Sequence, residues 1–163
     1  MQGHDSPDRA MKVIVCICTC NRPEDLDRLL NALAAIDLAG VSPGVLVETL
    51  VVDNRPADGR ARRVCEAHRN RLGRPLHFCE EATPGISFAR NRAVAEALDR
   101  GADFIQFIDD DDLPQMDWLA RNLETQRATG ADIVMGTWRL PERFSVAAHL
   151  SKVKSLTQRT FAG

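Results

Sequence analysis

Seven consecutive positions, 13–19, are apolar or β-branched, which predicts a strand buried on both faces. Pro23 then opens a helix with Glu24 and Asp25 in its first turn, where the helix dipole favours acids. Leu26, Leu29, Leu30 and Leu33 follow at helical spacing. Residues 45–52 predict a second strand that ends at Asp53, and residues 60–71 a second helix with a weak apolar face. Residues 76–79 predict a short third strand. Ala89, Ala93 and Ala97 mark one face of a third helix, and Gly101 is placed to end it in a left-handed conformation. Residues 104–108 predict a fourth strand running into Asp109. Met116, Leu119, Ala120 and Leu123 mark a fourth helix, and residues 133–135 begin a fifth strand. Strand and helix alternating in this way predict an α/β fold: a mainly parallel sheet with helices on both faces.

Composition narrows the class. The chain has 163 residues, 44% apolar and 27% charged, which suits a globular domain with a real core. A net charge of −2 lacks the basic excess of a nucleic-acid binder, so no nucleic-acid partner is expected. No apolar run reaches the ~20 residues of a membrane span. Residues 1–10 are polar and read as a loose tail rather than a secretory signal. Residues 141–163 are harder to read. Phe144, Ala147, Ala148 and Ser151 fall on one helical face beside Lys152 and Lys154, as on an ordinary surface helix. Five cysteines, an odd number, argue against a closed disulfide framework and for a reducing cytoplasm. Cys16, Cys18 and Cys20 alternate, so a strand places them on one face, as small core side chains rather than zinc ligands.

Candidate chemistry gathers where the predicted strands end, which is where open α/β sheets bind ligands. Thr19 and Asn21 follow the first strand, Asp53 and Asn54 the second, and Asp109, Asp110, Asp111 and Asp112 the fourth. Four adjacent carboxylates repel one another, and a divalent cation would resolve the conflict. Extended geometry points Asp109 and Asp111 the same way. Mg²⁺ takes one or two protein carboxylates and completes its octahedron with phosphates and water. The plain alternative is a solvated acidic turn that caps the next helix through Asp112. In Pro84-Gly85-Ile86-Ser87-Phe88-Ala89-Arg90-Asn91-Arg92, Gly85 permits an unusual backbone angle. Arg90 and Arg92 are long donors suited to a diphosphate or a base edge. No dinucleotide glycine fingerprint, Walker loop or nucleophile elbow is present, and His4, His68, His77 and His149 lack metal-ligand spacing.

These segments together resemble the inverting family 2 glycosyltransferases. Val13-Ile14-Val15-Cys16-Ile17-Cys18-Thr19-Cys20-Asn21-Arg22-Pro23 looks like their opening strand and turn, and Leu50-Val51-Val52-Asp53-Asn54 like their second strand. Residues 85–91 resemble the Gly-x-Ser-x-Ala-Arg-Asn segment, and residues 107–112 the Asp-x-Asp region. The four motifs stand in family order within residues 12–136. The bacterial exopolysaccharide type is the most similar in flavour, down to Asp117-Trp118-Leu119. The resemblance implies a GT-A, Rossmann-like fold, with a nucleotide-sugar-binding subdomain over residues 11–140 and the start of an incomplete acceptor region over 141–163.

It also implies roles. The turn carrying Cys18, Thr19 and Asn21 would border the base, and Asp53 would accept from the uracil ring nitrogen. Arg90 and Asn91 would contact the nucleotide or steady its loop. Asp109 or Asp110 would hold the ribose, and Asp111 would bind Mg²⁺ or Mn²⁺. The expected partners are a UDP-sugar donor and a saccharide or lipid-linked acceptor. A lipid-linked acceptor would bring the protein to the inner face of the membrane as a peripheral partner. Two departures stand out. Cys20 occupies the place of an aromatic residue that can stack on the base, and no carboxylate after Asp132 sits in a setting like the family's catalytic base. A non-catalytic nucleotide-sugar-binding fragment and a nucleotidyltransferase are the alternatives. The second lacks its glycine-rich, lysine-containing opening loop.

Overall fold

The computed structural model describes residues 10–137. Within them, four strands alternate with four helices: β1 Met11–Thr19, α1 Pro23–Ala34, β2 Val45–Asp53, α2 Arg60–His68, β3 Leu76–Glu80, α3 Ile86–Asp99, β4 Phe104–Asp109 and α4 Trp118–Thr129. All pairings are parallel, and the strand order is β3-β2-β1-β4. The chain steps outward from β1 through β2 to β3, then returns to the other side of β1. The order therefore reverses between β1 and β4, which is where a crevice opens at the carboxyl ends of such a sheet.

The predicted α/β class and helices on both faces are present. Val13, Val15 and Ile17 of β1 point to one face, where they join Leu26, Leu29, Leu30 and Leu33 of α1, Cys65 of α2 and Leu119 and Leu123 of α4. Ile14 and Cys16 point to the other face, where they meet Leu50, Val52 and the Ala89, Ala93, Ala97 stripe of α3. Methyl groups alone let α3 lie close on the sheet. Its end follows the predicted signal. Gly101 has φ 73°, its N–H bonds to the Leu98 carbonyl at 2.8 Å, and the Ala102 N–H bonds to the Ala97 carbonyl at 3.0 Å.

Four expectations are corrected. Helix α2 stops at His68, short of residue 71, because Leu72 tucks into the core at 2% exposure and Gly73 turns the chain at φ 69°. Met116 lies in a turn ahead of α4, exposed, with its carbonyl accepting from the Asp37 N–H at 2.8 Å. Residues 133–135 are not a strand. Ile133 and Met135 are 85% and 87% exposed, and no strand among the described residues offers them a ladder. Cys20 lies beyond the end of β1 and is exposed, so only Cys16 and Cys18 share a strand face. Residues 1–9 of the expected tail over 1–10, and the acceptor-side stretch over 141–163, lie outside the described residues. All five cysteines are free thiols, and burial pushes the Cys16 and Cys65 thiols up to about 12, as suits packing residues. Among the described residues, no helix is long and apolar enough to cross a membrane.

Candidate functional site

Parallel register sets the site. Thr19 of β1 lies opposite Asp53 of β2, and Cys18 lies opposite Asp109 of β4, so three strand ends finish level with one another. Cys18 is half-buried on the α3 side of the sheet. Burial pushes its thiol up to about 11, against the pull of Arg90. Thr19 is buried, and its hydroxyl donates to Asp110 Oδ2 at 2.7 Å across the point where the strand order reverses.

After Asp109 the chain leaves extended geometry. Asp110 and Asp111 form a turn closed by the Asp112 N–H on the Asp109 carbonyl at 3.1 Å. The strand alternation expected of Asp109 and Asp111 is thus replaced by a turn, although both side chains stay about half exposed while Asp110 between them is buried. The repulsion among these carboxylates is also resolved differently from the expectation of a cation alone. One nitrogen of Arg22, Nη1, donates to Asp110 Oδ1 at 3.2 Å and to Asp111 Oδ2 at 3.0 Å. Arg90 Nη2 donates to Asp109 Oδ1 at 3.2 Å. Burial pushes the Asp110 and Asp112 carboxyls above their ordinary value, while Thr19 and Arg22 pull Asp110 back. Asp112 does not cap the next helix, whose N-cap is Asp117.

The β2 end is built from backbone. Asp53 is 2% exposed, and its Oδ1 accepts from the Arg55 N–H at 2.9 Å. Burial raises its carboxyl above the ordinary value. Oδ2 carries no hydrogen bond among the described residues. Asn54 ties down the loop that follows β3. Its amide nitrogen donates to the carbonyls of Glu81 at 3.0 Å and Thr83 at 2.7 Å, and its oxygen accepts from the Gly85 N–H at 2.9 Å. Gly85 is a position that requires glycine, with φ 131° and an added Cβ 3.3 Å from the Phe88 ring.

Beside the ends of β2 and β3 opens a cleft of about 650 Å³, lined by Cys20, Asn54, Arg55, Pro56, Ala57, Glu80, Ala82, Pro84 and Gly85. Its apolar-rich wall and open mouth suit a planar ring. The predicted residues stand around this cleft rather than in its wall. Asn21 turns the chain with φ 58°, and its side-chain oxygen accepts from Arg60. Arg90 turns to Asp109, whereas Arg92 turns along its own helix to Glu96 at 2.6 Å. Asn91 is exposed on α3. Among the described residues, no three His, Cys, Asp or Glu side chains form a ready metal cluster. A hard cation that takes one or two carboxylates beside a diphosphate does not need one, and Asp109 and Asp111 keep accessible oxygens.

Sequence reasoning gave no role to Arg22, Arg55, Arg60 or Glu80. A signal for Arg22 was available. A guanidinium at a helix N-terminus opposes the dipole, so its presence there calls for an acidic partner.

The family model for glycosyl transferase family 2 matches residues 14–160. The chain belongs to that family. Succinoglycan biosynthesis protein ExoM of Rhizobium meliloti is 34% identical over 133 residues, which cover 82% of this chain and 40% of ExoM. Glycosyltransferase AglE of Haloferax volcanii is 29% identical, covering 92% of this chain and 49% of AglE. The chain thus spans less than half the length of these curated relatives. S. aureus TarS 1-349 in complex with UDP-GlcNAc superimposes with a TM-score of 0.66 at 25% identity, over 83% of this chain and 37% of that one. The mannosyltransferase PcManGT from Pyrobaculum calidifontis, in complex with GDP-Man and Mn²⁺, shares the fold with a TM-score of 0.51 at 24% identity, over 73% of this chain and 35% of that one. The family 2 sheet is the expected GT-A type.

Proposed function

We propose that this chain supplies the donor side of an inverting glycosyltransferase that moves a hexose from UDP to a saccharide or lipid-linked saccharide. The observation that carries the reading is the convergence of Thr19, Asp53, Arg90 and Asp109 to Asp111 on one sheet edge, beside an open cleft, in a family 2 chain. The free Oδ2 of Asp53 accepts from the uracil ring N–H. The cleft wall from Asn54 to Ala57 and from Pro84 to Gly85 encloses the ring. The turn at Cys18, Thr19 and Asn21 borders it, with Asn91 steadying the loop from α3. Asp109 or Asp110 holds the ribose, and Arg90 faces the phosphates. Asp111 is the Mg²⁺ or Mn²⁺ ligand. Bound there, the cation would offset charge on the leaving diphosphate. The similarity to a succinoglycan biosynthesis protein supports a role in cell-surface polysaccharide assembly on the cytoplasmic side, with peripheral membrane contact if the acceptor is lipid-linked.

The test is calorimetric titration of UDP and UDP-glucose with and without Mn²⁺, repeated on Asp111→Asn. Metal-dependent binding that the substitution removes supports the reading, and no binding to folded protein under either condition overturns it. Binding without transfer to any acceptor would favour a nucleotide-sugar-binding module, and release of pyrophosphate from a nucleoside triphosphate a nucleotidyltransferase.

A further inference from the structure

Arg22 occupies an unusual position. It is the N-cap residue of α1, makes no side-chain cap, and sets a positive charge at the positive end of the helix dipole. The helix gains nothing from it. The backbone nevertheless delivers it with care. Asn21 turns in the left-handed region at φ 58°, held through its side-chain oxygen by Arg60, and Pro23 fixes the chain immediately afterwards. The result is one guanidinium nitrogen bridging two consecutive carboxylates, Asp110 at 3.2 Å and Asp111 at 3.0 Å. A single positive group shared by neighbouring carboxylates performs the electrostatic duty of a bound cation.

The two links differ in strength. Asp110 has a side chain 7% exposed and anchored by the Thr19 hydroxyl, so that link is rigid. Asp111 is 55% exposed and Arg22 52%, so their link lies in water, where such pairs are weak and separable. The Asp111 carboxylate can therefore exchange partners without disturbing the interior. A diphosphate offers a guanidinium a better bidentate acceptor than a solvated carboxylate does.

Resting on the donor-site reading above, we propose that Arg22 is the resident counter-ion of Asp110 and Asp111, and releases Asp111 to a divalent cation when a nucleoside diphosphate arrives. Arg22 then keeps Asp110 and turns its free nitrogens to the phosphate. It is a positioning residue that makes metal binding depend on donor binding. By linkage, the factor by which the diphosphate raises metal affinity equals the factor by which the metal raises diphosphate affinity.

The test is titration of Mn²⁺ into the full chain, read by the electron paramagnetic resonance signal of the free ion, with and without UDP. Wild type, Arg22→Gln, Arg22→Lys and Asp111→Asn are compared, with thermal melting to verify folding. Without UDP, Arg22→Gln binds Mn²⁺ about two- to fivefold more tightly than wild type, the range expected for loss of one exposed ion pair. The enhancement by UDP shrinks by a similar factor. Arg22→Lys keeps the charge without the fork and falls between the two, and it carries the test alone if Arg22→Gln does not fold. Unchanged Mn²⁺ affinity in the Arg22 variants with the UDP enhancement intact overturns the proposal and leaves the donor site standing. Absence of Asp111-dependent Mn²⁺ binding in wild type, with UDP present, overturns the donor-site reading and this proposal with it.

Discussion

The ends of β2 and β4 both carry buried aspartates at one edge of the sheet, Asp53 and Asp110, yet they are held in opposite ways. At β2, Asp53 is fixed by a backbone N–H, and Asn54 pins the facing loop through three hydrogen bonds. No ion pair is required. At β4, the carboxylates are held by arginines from β1's turn and from α3, with only Asp110 anchored inside by Thr19. Backbone and amide contacts fix geometry before a ligand arrives. Exposed ion pairs hold charge in place but can exchange partners. The β2 end is thus held by hydrogen bonds of fixed geometry, and the β4 end largely by exposed, exchangeable ion pairs.

The strongest way to break this comparison is Asp111→Asn. On the proposed function it lowers metal-dependent UDP affinity by about 100-fold or more, the scale of losing a metal's charge stabilisation. Thermal stability stays near wild type because the side chain is 55% exposed. Calorimetry and melting on the same sample check both halves.

Asn54→Ala acts on the other end. It strands two carbonyls and one N–H of the loop that follows β3, at a cost of ~1–3 kcal/mol. Hydrogen exchange over residues 81–85 speeds up and UDP binds more weakly, while Mn²⁺ binding to the β4 end without nucleotide is unchanged. Equal losses at both ends would mean that the two are one unit.

Acid sharpens the contrast. The Asp53 carboxyl titrates above the ordinary 3.8 because burial disfavours its charge. UDP binding that uses its ionised form is full at neutral pH and is lost as pH falls through that raised value, earlier than for an exposed aspartate. Stability carries the opposite sign. The folded-state value lies above the unfolded one, so ionised Asp53 weakens the fold at neutral pH, and that cost is relieved on acidification. Asp53→Asn therefore loses UDP while its melting temperature holds or rises. A fall in melting temperature together with binding would contradict the sign.

The smallest effect is salt. Raising ionic strength from about 0.05 M to about 0.5 M screens the exposed Arg22–Asp111 and Arg90–Asp109 pairs. Exchange in the β4 turn rises modestly, and the loop over 81–85 is unaffected.

Much of this was legible in the chain. The apolar runs located four strands within a residue or two, because β1 is apolar or β-branched throughout its buried centre and the others carry few polar residues among their apolar ones. The aspartates closing β2 and β4 stood out because charge follows directly on a buried run. The fifth strand over 133–135 was not decided by its apolar residues, since a strand exists only with a partner for its backbone groups. Arg22 and Asn54 were quoted within motifs but given no structural role. Their partners lie 88 and 89 residues away for Arg22, and 27, 29 and 31 residues away for Asn54.

What the sequence by itself determined is the alternation of buried strand and amphipathic helix, and with it the class of fold and the family. It also determined which residues stand at strand ends, because burial, helix period and charge placement are local properties. Only the tertiary structure decided the strand order β3-β2-β1-β4, and therefore that Thr19 meets Asp110 rather than Asp53. It alone decided that Arg22 neutralises Asp110 and Asp111. Which charges share a site depends on how strands are laid side by side, and a parallel sheet brings together residues that no local pattern connects.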